Sequence, residues 1–132
     1  MNKIEHIAWA VHDLETSCLM VEKLLGIAPY RREKLEAEGI TTVFFRVGEV
    51  KLELLGDAKP GSVVDRFLQN RGEGLHHIAF QVDNLSEETR RLDAEGFSFA
   101  GMPRAGAENM LIHFLHPKAT AGALIELCQP QA

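Results

Sequence analysis

Two histidines and two glutamates occupy matching places in a sequence that repeats itself. Ile4-Glu5-His6-Ile7-Ala8-Trp9-Ala10-Val11-His12-Asp13-Leu14 is echoed by Leu75-His76-His77-Ile78-Ala79-Phe80-Gln81-Val82-Asp83-Asn84-Leu85, which sets His6 on His77 at an offset of 71 residues. Lys51-Leu52-Glu53-Leu54-Leu55 is echoed by Leu124-Ile125-Glu126-Leu127-Cys128, which sets Glu53 on Glu126 at an offset of 73. Imidazole and carboxylate are ordinary ligands for a divalent first-row ion. Four such ligands about a pseudo-twofold axis leave open positions in an octahedral shell for water or a chelating substrate. A lone histidine on a strand is more commonly a core or surface residue, so the signal lies in the repetition. Glu53 and Glu126 each sit between apolar neighbours. A carboxylate so placed on a strand faces outward, or inward with a partner.

The elements that must position these residues also come twice. Residues 3–11 read as a strand. Asp13 reads as the N-cap of a helix carrying Leu14, Cys18, Val21, Leu24 and Leu25 on one stripe, and Gly26 ends it. Strands follow over 27–35, 40–47 and 50–55, with a Gly48-Glu49 turn between the last two. After a linker, Ser62 caps a short helix whose apolar side is Val63, Val64, Phe67 and Leu68. The second copy reads as a strand over 75–82, a helix capped by Ser86 and ended by Gly96, and strands over 97–100, 110–115 and 123–128. The expected fold is α+β. Two βαβββ modules, about 3–56 and 74–129, are joined by a linker with a short helix over 57–73. They form a half-open, eight-stranded barrel-like sheet with helices outside, a single domain over 1–132. Strand alternation puts His6 on one face with Ile4, Ala8 and Ala10, and the small alanines leave it room. His76 then faces outward or packs under a helix. His12 reads as a turn residue, and His113 fits either face.

Composition narrows the partners. A net charge of −5 argues against nucleic acid or an anionic membrane, each of which needs a basic face. Two cysteines, Cys18 and Cys128, make no disulfide framework. No run approaches the ~20 apolar residues of a membrane span. The first twenty residues, with Glu5, His6, Asp13 and Glu15, hold no signal-peptide core, so a cytoplasmic protein is expected.

Ile-Glu-His-Ile-Ala resembles the opening strand of the vicinal oxygen chelate superfamily. More narrowly, the segments Lys51–Leu55, Gly72–Phe80, Pro103–Ala107, Phe114–Lys118 and Leu124–Gln129 resemble the methylmalonyl-CoA epimerase family, and the likeness covers essentially the whole chain. The double-histidine strand and the His116-Pro117-Lys118 segment, in this order, are the more specific part. The resemblance implies a divalent metal (cobalt, manganese, magnesium, zinc or nickel) held by His6, Glu53, His77 and Glu126. It further implies a homodimer, an acyl-CoA substrate and a role in propionate or branched-chain acyl metabolism. One departure stands out. Where some epimerases carry a second glutamate base, Gly39–Phe44 has no acid.

The implied reaction is metal-dependent R/S interconversion of methylmalonyl-CoA by 1,1-proton transfer through an enolate. Two bases must flank the α-carbon. Glu126 is the candidate for one and Glu53 for the other. Lys118 reads either as part of a surface turn or as a rim cation for substrate carboxylate or CoA phosphate. Ala105 and Gly106 read as a plain loop or as a close backbone approach to the acyl group. Two alternatives share the scaffold. Lactoylglutathione lyase uses the same two-His, two-Glu set. A non-catalytic drug-sequestering protein needs no metal and favours aromatic platforms, whereas this chain has one Trp and one Tyr.

Overall fold

The computed structural model describes residues 1–132. The elements in chain order are β1 (Lys3–Ala10), α1 (Leu14–Leu25), β2 (Arg31–Leu35), β3 (Ile40–Val47), β4 (Val50–Gly56), α2 (Val63–Arg71), β5 (Gly74–Gln81), α3 (Leu85–Ala94), β6 (Phe99–Ala105), β7 (Met110–Leu115) and β8 (Ile125–Pro130). The class is α+β, and the βαβββ order occurs twice, before and after α2. In hydrogen-bonded order the eight strands run β2-β3-β4-β1-β5-β8-β7-β6. The β5–β8 pair is parallel, and β2–β3, β3–β4, β6–β7 and β7–β8 are antiparallel. No helix is long and apolar enough to cross a membrane. Two compact units divide the chain, Ile7–His76 and Met1–His6 with His77–Ala132, so β1 lends its first residues to the second.

In the Ile7–His76 unit, α1 forms where the sequence places it. The Asp13 side chain accepts from the Thr16 N–H at 3.0 Å, satisfying one of the donors a helix start leaves open. Gly26, at φ 70°, takes the left-handed cap that a side chain would resist. The buried stripe Leu14, Cys18 and Val21 packs on Val11, Val43, Phe45 and Leu54. Leu24, expected on that stripe, is exposed. Burial raises the pKa of the Cys18 thiol. The opposite face of the sheet is covered by Val64 and Leu68 of α2, which pack on Ala8, Ala10, Ile40 and Leu55. Ala8 and Ala10 are fully buried there. Their small size admits the helix. Val63 points to solvent, because the short helix can turn only part of its surface inward.

His76 packs its ring edge-on against Phe67 of α2, with centroids 4.8 Å apart. Burial, then the Arg71 charge, lowers its pKa from 6.5 to about 4. The fold therefore holds it neutral, while the unfolded chain protonates near 6.5. Its contribution is complete above pH 6.5 and drains away as the pH falls toward 4. Wild-type protein should lose about 2 kcal/mol more than His76→Phe between pH 7.5 and 4.5, read from urea midpoints. Equal losses would remove His76 as an acid-sensitive element.

In the second unit, α3 starts earlier than its sequence suggests. Asn84 is the cap, accepting from the Glu87 N–H at 3.0 Å, and Ser86 lies inside the helix. Leu85 explains the shift, since as first helical residue it is buried with Val82, Leu92, Leu115 and Leu127. β6 runs to Ala105, further than the residues 97–100 suggest, because it crosses an irregularity between Ala100 and Arg104. Gly101, at φ 66°, sits in that irregularity. His113 is buried, stacks on Phe99 and bonds to the Gly101 carbonyl at 2.9 Å through Nε2, so it ties β6 to β7.

Candidate metal centre

Within the unit of Met1–His6 and His77–Ala132, three polar side chains meet on one face of the sheet. β5 and β8 pair Ala79 with Glu126, and β7 and β8 pair Phe114 with Glu126. His77, two residues before Ala79, shares that face by alternation. His6 comes from β1. The Nε2 atoms of His6 and His77 lie 3.1 Å apart. Glu126 Oε2 is 3.2 Å from His6 Nε2, and Glu126 Oε1 is 3.6 Å from His77 Nε2. All three residues are buried. Apolar side chains frame them: Ala79, Met110, Ile112 and Cys128 form a cluster with Phe114 against it. The Phe114 ring meets the His77 ring at 90° with centroids 5.2 Å apart.

Glu5 turns this cluster into a donor set. Its carboxylate Oε1 lies 2.9 Å from His6 Nδ1. A proton on Nδ1 would give that carboxylate a donor and, in a neutral ring, leave the Nε2 lone pair toward His77 and Glu126. Glu126 Oε2 is buried with no hydrogen-bond partner, 3.2 Å from that nitrogen. Two imidazole nitrogens and a carboxylate oxygen converging inside an apolar frame fit a divalent cation chemically.

Glu53 is a buried residue of β4, in the Ile7–His76 unit. Its cross-strand partner is Phe44, as Phe114 is for Glu126, so the two glutamates hold equivalent registers in their modules. His6, Glu53 and His77 are all buried residues of metal-ligating type. Lys118 is exposed in the short 3-10 turn Pro117–Thr120, where its backbone N–H donates to His116 Nδ1 at 3.2 Å. Ala105 is exposed at the end of β6. A Cβ on Gly106 would fall 2.8 Å from Ile112 Cγ2, so glycine there lets the chain lie against the framing cluster.

Neither Glu5 nor Phe114 stands out in the sequence as a site residue. Glu5 neighbours a histidine that strand alternation puts on the other face, and its repeat counterpart is His76, so the doubling that marks the ligands is absent. Phe114 reads only as a core aromatic.

The chain belongs to the glyoxalase/bleomycin resistance protein/dioxygenase superfamily, whose model matches residues 5–114. Its relatives narrow the class to isomerases. It is 33% identical over 132 residues to the ethylmalonyl-CoA/methylmalonyl-CoA epimerase of Cereibacter sphaeroides, covering 98% of each chain. A Streptomyces coelicolor methylmalonyl-CoA epimerase variant, solved in complex with 2-nitronate-propionyl-CoA, superposes with a TM-score of 0.93. It is 29% identical, with 100% of this chain and 96% of that one covered. The uncharacterised Bacillus subtilis protein YqjC is 38% identical over 132 residues, covering 99% of this chain and 94% of its own.

Proposed function

We propose that the chain epimerises methylmalonyl-CoA, interconverting its R and S forms by 1,1-proton transfer with a divalent ion held by His6, Glu53, His77 and Glu126. The observation that carries the reading is the convergence of His6 Nε2, His77 Nε2 and the unbonded Glu126 Oε2. The epimerase relatives and the acyl-CoA held by a structural neighbour support the substrate class. Glu53 enters on the repeat and on its burial.

When bound, the cation supplies Lewis-acid stabilisation of the charge that develops on the thioester oxygen. The chain's own residues do the rest. One carboxylate removes the α-proton and the other returns a proton to the opposite face of the same carbon, so no net bond is made or broken. Glu126 is one base and Glu53 the other. The apolar frame of Ala79, Met110, Ile112, Cys128 and Phe114 excludes water, which strengthens the local electrostatics and protects the carbanion from stray protonation. Cobalt as the ion, a homodimer and a place in propionate metabolism belong to this reading.

Deuterium wash-in at the α-carbon of methylmalonyl-CoA, run with Co²⁺-loaded protein beside the hemithioacetal of methylglyoxal and glutathione, tests it. Exchange with the thioester and no turnover of the hemithioacetal is the expected result. The reverse pattern would assign the site to a glyoxalase.

A further inference from the structure

We infer that Glu5 is a positioning residue for the metal centre: it holds His6 in the Nδ1–H tautomer and aims Nε2 at the cation. This rests on the metal reading above. Glu5 is 3% exposed, yet carboxylates are seldom buried without a specific partner. It has one in His6 Nδ1 at 2.9 Å. Adjacent residues on a strand start out toward opposite faces, so the contact requires the glutamate stem to curl back along β1.

A neutral imidazole can carry its proton on either nitrogen. With the proton on Nε2, His6 would present an N–H, instead of a lone pair, to His77 Nε2 and Glu126 Oε2, and could not ligate. Removing the Nδ1 acceptor frees that choice. An anionic acceptor also pushes electron density into the ring and makes Nε2 a stronger donor. In the repeat, the place of Glu5 is taken by His76, which packs on Phe67.

The test uses wild-type, Glu5→Ala and Glu5→Gln protein with two readouts. Long-range ¹H–¹⁵N NMR of the metal-free protein reports which His6 nitrogen bears the proton. Titration calorimetry with Co²⁺ reports affinity. Wild-type His6 should be the Nδ1–H form. Glu5→Ala should lose that preference and bind Co²⁺ about 10–100-fold more weakly. Glu5→Gln still offers a carbonyl oxygen, so it should keep the tautomer and bind with an affinity between the other two. An Nε2–H tautomer in the wild type overturns the inference, as does unchanged affinity in Glu5→Ala. If Glu5→Ala does not fold, wild-type affinity in Glu5→Gln overturns it. Failure of the wild type to take up Co²⁺ strikes the metal reading instead, and the tautomer measurement still judges the Glu5–His6 pairing.

Discussion

Glu126→Gln should lower epimerisation of methylmalonyl-CoA by about 10²–10⁴-fold, the range that a positioned general acid or base contributes. Gln is close to isosteric, and the Ala79–Glu126 and Phe114–Glu126 register is made by backbone, so the strand pairing should survive. Because Glu126 is also a proposed ligand, weaker metal binding could mimic the loss. Saturating Co²⁺ separates the two roles, since it refills a weakened site but does not replace a missing base. Deuterium wash-in adds a finer cut. With two bases on opposite faces, each epimer presents its α-proton to one of them. Glu126→Gln should therefore stop wash-in from one epimer and leave it with the other, while Glu53→Gln reverses the pattern. Loss with both epimers in both variants would show that the carboxylates serve the ion alone. Full epimerase activity in Glu126→Gln would remove it from the chemistry.

The doubled sequence revealed most of what positions this site, and its misses have physical causes. His6, His77 and Glu126 could be picked out because each has a counterpart at a nearly constant offset. The strands carrying them were legible because their β-branched and apolar residues are bounded by turns. The end of α1 was legible because Gly26 does there what few other residues do. The start of α3 was misread because Ser86, Asn84 and Asp83 are all chemically able to cap. What selects Asn84 is the burial of Leu85, a tertiary fact. The alanines of β1 pointed to empty space, yet small residues equally mark a close approach, and α2 makes it. Glu5 was invisible for a different reason. Alternation describes where a side chain leaves the backbone, and a glutamate is long enough to end elsewhere.

Metal should stabilise the folded protein strongly. His6 Nε2, His77 Nε2 and Glu126 Oε2 converge in a buried site. A cation that fits these native donors and not the unfolded chain adds about 2.7 kcal/mol of stability when present at 100 times its Kd. With an unfolding entropy of roughly 2.1 cal/mol/K per residue, that raises the Tm of a chain this long by about 10 °C. Nitrogen ligands favour later first-row ions, so Co²⁺ and Zn²⁺ should shift the Tm more than Mn²⁺, and Mn²⁺ more than Mg²⁺, at equal concentration. His77→Ala removes one of the facing nitrogens and should lose most of the shift. A chelator should reverse it in the wild type. Scanning calorimetry decides the matter without any substrate. A Tm indifferent to all four ions, or a shift of the same size in His77→Ala, would mean that the converging side chains serve no cation.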